Sequence, residues 1–391
     1  MQTNKKISFY FLITVGEPFL LLKDVGMIPF YLYNAGYDVH FVSHIFPTDA
    51  TKPENATYFK RVAGIKFEYV PPSGRIFGFS WNLIKYIWSN AKKMDILLIY
   101  FFKSAMLPSL IYKLRNKNGK IWVKCDMDGS TYNNYPSKTT FLGKIKNKIY
   151  EQFAKKSYDL ITAESNMAVD FLRNYYPQSQ HKICYLPDGV DDIWFENQGV
   201  SPLSYEQKEN IILTVGRLGT FQKNTEFLLE CMEKMQWQSD WKIVAVAGSG
   251  TTPDFAPKLE AFFVKNPHLR ERFELVPNLQ HKELFEYYRR AKIVCCTSRF
   301  ESFGLFIAEG LSMGDYVVTT PICTAPDFVQ GGCGVEVQTP DEMASFLSSV
   351  MADETTLQEA YPRVLEHAKD FYWSNIINTL QTYWKELYLI S

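Results

Sequence analysis

The stretch AKIVCCTSRFESFGLFIAEGLSMGDYVVTT, residues 291 to 320, reads as one complete strand, loop, helix and strand. AKIVCCTS is an apolar run of strand length, and DYVVTT is a second. Between them Phe303, Leu305, Phe306, Ile307 and Ala308 make a helix, with Ser302 as the expected N-cap and Gly314 as the expected stop. Apolar strands alternating with helices predict a parallel sheet with helices on both faces.

The same alternation extends outward from this unit. NIILTVG, WKIVAVAG and RFELVP precede it in the second half of the chain. In the front half, KISFYFLIT (6 to 14), DVHFVS (38 to 43), DILLIYFF (95 to 102), KIWVKCD (120 to 126) and DLITAES (159 to 165) read as buried strands. The expectation is therefore α/β, two doubly wound Rossmann-like domains facing a cleft, with residues 1–198 as the first domain and 211–365 as the second. The polar, aperiodic GVSPLSYEQKEN, 199–210, is expected to link them.

Composition supports two cores. The chain has 391 residues, enough for two domains of roughly 150 to 200 residues. Hydrophobic residues make up 46% and charged residues 21%, which argues against extensive disorder. The 7 cysteines are odd in number and never spaced CxxC, which argues against a disulfide framework or zinc site and for a reducing compartment. No signal peptide is expected in MQTNKKISFYFLITVGEPFLLL, and Lys103 and Pro108 interrupt the apolar run 96 to 112, so no spanning helix is expected either. A cytoplasmic location follows, including the inner face of the membrane. Net charge is zero overall, yet residues 1 to 200 carry 25 Lys and Arg against 17 Asp and Glu, and the remainder carries the reverse. The halves are expected to meet different partners.

Ligands of open parallel sheets sit at the carboxyl ends of strands. There VGRLGTFQKN places Arg217 and Lys223, two cations suited to a diphosphate. Taken alone they read more readily as solvated surface charges. GSGTT, with Gly248, and VGEPF, with Gly16, are glycine turns, but neither matches G-x-G-x-x-G, so a nicotinamide fingerprint is absent. The amino end of the helix after Ser302 offers backbone N–H groups to an anion, with Gly304 allowing close approach. Glu301 in the preceding loop and Glu309 inside the helix are separated by about 9 Å of helix rise, too far to share a proton or a small metal. Two acids bracketing an anion suit a nucleotide sugar, with hydroxyls at both ends and a diphosphate in the middle. A glycosidase would instead oppose its carboxyls across one bond.

These residues resemble the retaining glycosyltransferases of family four, which have the GT-B fold. SRFESFGLFIAEGLSMGDYVV resembles that family's E-x7-E signature. LPDGVD (186 to 191), VGRL with QKN (215 to 224), AGSG (247 to 250) and GGCGVEVQTPDEMASFL (331 to 347) resemble its other motifs. The similarity is strong from about residue 158 to 350 and thin before that. It implies that Arg217 and Lys223 hold the donor diphosphate, Glu309 the ribose hydroxyls and Glu301 the transferred sugar. It further implies a phosphate site at Ser302, Phe303, Gly304 and Leu305, donor contacts at Gly16 and Gly248, and base contacts at Asn278 and Leu279. A C-terminal helix within 366–391 would return to the first domain. No cofactor and no metal are implied.

Two departures stand out. Lys223 is followed by Asn224, where family members usually have glycine. Where many relatives have a histidine, this chain reads KCDMDGS, so Asp126 and Asp128 are expected to contact sugar or acceptor. D-x-D also occurs in metal-dependent GT-A transferases, a reading opposed by the two doubly wound domains and by the Arg217 and Lys223 cations.

The implied reaction is hexose transfer from a UDP- or GDP-linked sugar to a glycan acceptor, with retention. SWNLIKYIWSNAKK (80 to 93) and KIKNKIYEQFAKK (144 to 156) are basic and amphipathic. Such helices either lie on an anionic bilayer or pack on the sheet. The first case suggests peripheral membrane contact and a lipid-pyrophosphate-linked acceptor. No nucleic-acid-binding signature is present. A GT-B sugar-nucleotide epimerase and a catalytically silent nucleotide-sugar-binding protein are the alternatives.

Overall fold

The computed structural model describes residues 6–14, 17–45, 52, 55–76, 79–128, 132, 135, 140–238, 240–387 and 390. Its strands are β1 Ser8–Ile13, β2 Asp38–Ser43, β3 Lys66–Tyr69, β4 Arg75–Ile76, β5 Phe79–Ser80, β6 Ile96–Tyr100, β7 Lys120–Cys125, β8 Leu160–Ala163, β9 Ile183–Tyr185, β10 Ile211–Gly216, β11 Lys242–Ala247, β12 Phe273–Val276, β13 Ile293–Cys296, β14 Tyr316–Thr319 and β15 Gly334–Glu336. The inner strands are the apolar runs expected from the sequence. Not expected from the sequence were the two-residue strands β4 and β5 and the short edge strands β3, β9 and β15, whose side chains, Ile183 apart, are half-buried or exposed and so lack a continuous apolar run.

The chain divides into two units, one of Met1–Met127, Thr131–Asp188 and Trp373–Ser391, the other of Asp128–Ser130 and Gly189–Tyr372. In the first, seven parallel strands run in the order β3-β2-β1-β6-β7-β8-β9. β4 and β5 form a separate antiparallel pair. The helix Trp373–Glu386 closes one face of this sheet, its buried Trp384 lying 4.6 Å from Phe9 and 5.8 Å from Trp122. Such a tryptophan dominates a local core, and its truncation costs about 3–5 kcal/mol.

In the second unit six parallel strands run β12-β11-β10-β13-β14-β15. Numbered from β10 this is 3-2-1-4-5-6, the doubly wound order whose reversal point lies between its first and fourth strands. Residues 199–210, expected as a linker, pack in this unit. Val200 and Tyr205 are buried in its core, and Lys208 is fully buried against Asp315 at 2.7 Å. Glu209 donates its N–H to the Arg290 carbonyl at 2.7 Å and pairs with the Arg290 guanidinium. The polar letters of that stretch are committed to specific partners, so it does not behave as a solvated connector. At the other end, Phe371 is in the core of the second unit and Trp373 opens the helix of the first.

The helix Trp81–Asn90 buries Leu83, Ile84 and Ile87 and is an ordinary packed amphipathic helix. Its exposed Trp81 and Trp88 lie beneath Lys85 and Arg115. The helix Phe141–Lys156 differs, burying only Gly143 and Ala154 among its described residues. Phe141 (77%), Leu142 (69%), Ile145 (44%) and Ile149 (45%) are exposed on it. No described helix is long and apolar enough to cross a membrane.

Candidate functional site at the strand ends of the second unit

β10 ends at Gly216, and Arg217 follows directly. β13 ends at Cys296 and runs into a loop carrying Ser298, Arg299 and Glu301. Because β10 and β13 are neighbours in a parallel sheet, both loops emerge at the same edge, at the order reversal. This places Lys223 Nζ 2.6 Å from Glu301 Oε1, although they lie 78 positions apart in sequence. Ser298 Oγ donates to the same Glu301 oxygen at 2.6 Å. Gln222 Nε2 donates to Glu301 Oε2 at 3.2 Å, while Gln222 Oε1 accepts from Arg217 Nη2 at 2.5 Å. Arg217, Gln222, Lys223, Ser298 and Glu301 therefore form one connected network. Glu301 is 8% exposed, so its carboxylate is buried in the network rather than solvated at the surface. Arg217 is exposed and Lys223 half-buried, with Lys223 Nζ over the Phe306 ring at 4.5 Å.

Local geometry explains the glycines and one departure. A Cβ on Gly216 would meet Lys223 Cε at 2.7 Å, so the lysine stem passes where a side chain would be. Asn224 has φ 50°, a left-handed conformation that glycine adopts freely and asparagine tolerates better than other residues. The substitution of asparagine for the usual glycine therefore preserves the turn that aims Lys223.

The helix runs Leu305–Ser312, two residues later than expected, and its N-cap is Gly304 at φ 91° rather than Ser302. Phe303 cannot join the helix because its ring is buried against Phe328 at 5.2 Å and its carbonyl accepts from Thr324 Oγ1 at 2.5 Å. No side chain caps the helix, so its first turn keeps polar N–H groups for a ligand. Gly314, at φ 87°, follows the helix as the expected stop. Glu309 sits on the second turn, its Oε2 accepting from Tyr288 OH at 2.8 Å. Burial, then the Glu309 carboxylate, push the Tyr288 hydroxyl well above its ordinary range.

The remaining expected positions lie on neighbouring strand ends. Gly248 follows β11 and donates its N–H to the Gly216 carbonyl at 2.6 Å. Asn278 and Leu279 follow β12, the first exposed and the second half-buried. Gln222, Ser298 and Tyr288 were not singled out from the sequence. Gln222 adjoins Lys223 and could have been weighed with it, whereas Tyr288 reaches Glu309 only through helix packing.

In the first unit, Asp126 follows β7 beside a buried charge cluster. Lys124, fully buried, lies 2.8 Å from Asp188, 3.0 Å from Asp24 and 3.6 Å from Glu164. Asp128 is half-buried, and Gly16 lies outside the described residues. Among the described residues no group of three or more His, Cys, Asp and Glu is arranged to hold a metal ion. The seven cysteines are free thiols.

Residues 209–353 match the family model described as glycosyl transferases group 1. The amylovoran biosynthesis glycosyltransferase AmsD of Erwinia amylovora is 25% identical over 183 residues, 44% of this chain and 50% of that protein. A D-inositol 3-phosphate glycosyltransferase of Mycolicibacterium vanbaalenii is 31% identical over 138 residues, 34% of this chain and 29% of that protein. The chain spans about half the length of the first of these relatives. Among solved structures, a glycosyltransferase from Rickettsia africae matches with TM-score 0.71 at 16% identity, covering 99% of this chain and 100% of that one. HepE from Anabaena, in complex with UDP, matches with TM-score 0.70 at 13% identity, covering 97% and 100%. Residues 209–353 of the second unit are thus similar to group 1 glycosyltransferases, and the chain has the GT-B fold of two Rossmann-like units.

Proposed function

We propose that this protein is a retaining glycosyltransferase that moves a hexose from a nucleoside-diphosphate sugar to a glycan acceptor in surface polysaccharide or glycoconjugate assembly. The observation that carries this reading is the Lys223 and Glu301 pair, 2.6 Å apart at the order reversal of the second sheet and tied through Gln222 to Arg217. Arg217 and Lys223 bind the diphosphate, with backbone N–H groups around Ser302, Phe303, Gly304 and Leu305 completing the anion site. Glu301 accepts from hydroxyls of the transferred sugar, and Glu309, oriented by Tyr288, from the ribose. Gly248 and Gly16 approach the donor, and Asn278 and Leu279 meet the base. Solved structures of HepE with UDP and with UDP-glucose support a nucleotide-sugar donor, and similarity to an amylovoran biosynthesis enzyme supports a polysaccharide product.

The bond from the anomeric carbon to the diphosphate oxygen breaks as the bond to the acceptor hydroxyl oxygen forms on the same face. The departing phosphate oxygen takes the hydroxyl proton. Positioning and stabilisation of the leaving charge do the catalytic work, without a protein nucleophile. Asp126 and Asp128 contact the sugar or the acceptor.

The acceptor is lipid-linked in this reading, and the exposed apolar residues of the helix Phe141–Lys156 support it. Phe141, Leu142, Ile145 and Ile149 share that helix with five lysines, matching an anionic bilayer in both apolarity and charge. Flotation with anionic vesicles at low salt tests the contact, and failure to float sinks it. Thermal-shift screening with UDP and GDP, then mass spectrometry of products from candidate lipid-linked glycans, tests the reaction. Epimerised donor without transfer would replace it with an epimerase.

A further inference from the structure

The first sheet is parallel throughout, so the amino ends of its strands share one edge, opposite their carboxyl ends. That edge holds a cavity of about 510 Å³, within the ~300–1,000 Å³ of small-molecule sites. Ser8 opens β1 there, Asp38 opens β2 and Lys66 opens β3, while Lys6 and Lys93 precede β1 and β6. Strand register carries the lining inward, pairing Tyr10 with His40 and His40 with Lys66. The Tyr10 and His40 rings stack at 4.1 Å and line the cavity together.

Tyr10 is 4% exposed, yet its hydroxyl has no hydrogen-bond partner among the described residues. Burial first, then the charges of Glu68, Asp38 and Asp95, push that hydroxyl up to about 12, so at neutral pH it is a donor. A phenylalanine would pack as well there without leaving a buried polar group unpaired. The hydroxyl therefore wants an acceptor from outside the chain.

The neighbouring acids are already engaged. Asp38 takes Lys66 Nζ at 2.5 Å and His40 Nε2 at 3.4 Å. Glu68 takes His40 Nδ1 at 2.5 Å and the Tyr86 hydroxyl. Asp95 accepts from the Ser8 N–H at 2.9 Å and from Ser8 Oγ at 3.0 Å. Lys66 is thus committed, but Lys6 and Lys93 pair with no carboxylate among the described residues, Lys93 Nζ donating to Asn90 Oδ1 at 3.1 Å. Two ammonium groups and one phenol without an acid of their own suit an anion with several acceptor oxygens. Tyr33 and Tyr37 complete the lining. A Cβ on Gly64 would meet Tyr33 Cε1 at 2.2 Å, and Tyr37 lies edge-on to Phe9 at 5.1 Å, so both rings are held in place. Aromatic walls receive a flat base or the C–H face of a sugar.

We propose that this cavity is a second ligand site, separate from the strand-end network of the second unit. Its ligand is a small phosphomonoester carrying a sugar or base ring, with the phosphate held by Lys6, Lys93 and the Tyr10 hydroxyl. The site does not depend on the glycosyl-transfer reading above.

Calorimetric titration of the full chain at low salt with glucose 6-phosphate, AMP and inorganic phosphate tests it. One of the two ring-bearing phosphates is expected to bind more tightly than inorganic phosphate, and which one it is identifies the ring. Tyr10→Phe keeps the ring stack and should weaken that binding about two- to tenfold with Tm unchanged or raised, since no bond within the protein is lost. Lys6→Met combined with Lys93→Met removes two charge-assisted bonds and should weaken it by at least about a hundredfold. Lys223→Met should leave it unchanged. The site is overturned if neither ring-bearing phosphate binds, if inorganic phosphate binds as tightly as both, or if either the Tyr10 or the double lysine substitution has no effect. Loss of binding in Lys223→Met would overturn it too, by assigning the phosphate to the second unit.

Discussion

Replacing Lys223 by methionine separates what this lysine does for stability from what it does for turnover. At rest its ammonium is 2.6 Å from Glu301, in a pair whose side chains are 15% and 11% exposed. Removing it leaves Glu301 with the hydrogen bonds from Ser298 and Gln222, so the carboxylate is under-satisfied rather than stranded. The stability loss should then be about 1–3 kcal/mol, a fall in Tm of roughly 2–4 °C per kcal/mol for a unit of this size. The loss in turnover has a different origin, since a cation aimed at the leaving diphosphate is worth about 2.7–4 kcal/mol in the transition state, or ~10²–10³ in kcat. The double variant Lys223→Met with Glu301→Gln removes both charges and should recover most of the lost Tm while turnover stays low. Nucleoside diphosphate release from UDP- and GDP-sugars, beside thermal unfolding, measures both quantities. If Lys223→Met keeps near-parental kcat with a lowered Tm, the pair is structural and the proposed role is refuted.

Three further outcomes follow from particular contacts. Tyr288→Phe removes a buried bond to the Glu309 carboxylate and should cost about 1.5–3 kcal/mol in denaturant unfolding and weaken nucleoside diphosphate binding by calorimetry; unchanged values would contradict the orienting role. Gly304→Ala places a Cβ at φ 91°, 3.3 Å from Ile307 Cδ1, and should cost at least about 1–2 kcal/mol, read by the unfolding midpoint. Lys208→Met leaves Asp315 buried without its counter-ion and should cost about 3–5 kcal/mol. Burial already pushes the Asp315 carboxyl up to about 7. Its folded state therefore holds the proton more tightly than its unfolded state, and this contribution to stability is full in acid and lost as pH rises through the folded value. The Lys208→Met deficit should be smaller near about pH 5 than near about pH 8, and a deficit independent of pH would count against the buried charge as its cause.

Much of the second unit was legible because its strands are apolar on both faces. Such strands read as continuous runs, and their ends mark the ligand edge before any coordinates exist. Arg217, Lys223 and Glu301 stand out in that way, and the structure joins them in one network. The helix start was misplaced because Ser302 is a good cap by propensity, whereas the ring of Phe303 is captured by Phe328 and overrides it. The stretch 199–210 was misread for a related reason. Its lysine and glutamate look solvated in a string of letters, yet Lys208 pairs with Asp315, 107 positions away, and Glu209 with Arg290, 81 positions away. The two basic helices looked equivalent in sequence, and only packing separated Ile84 and Ile87, which are buried, from Ile145 and Ile149, which are exposed.

The amino-acid sequence by itself determined the alternation of strand and helix and the residue types at the strand ends, since period, caps and breakers act within a few neighbours. Tertiary structure alone decided which of those ends meet. Lys223 grips Glu301 because β10 and β13 are adjacent, and Lys124 gathers Asp24, Glu164 and Asp188 because β1, β7, β8 and β9 share one sheet. Strand order is set by the burial of whole layers, a property of the assembled core that no local window of residues contains.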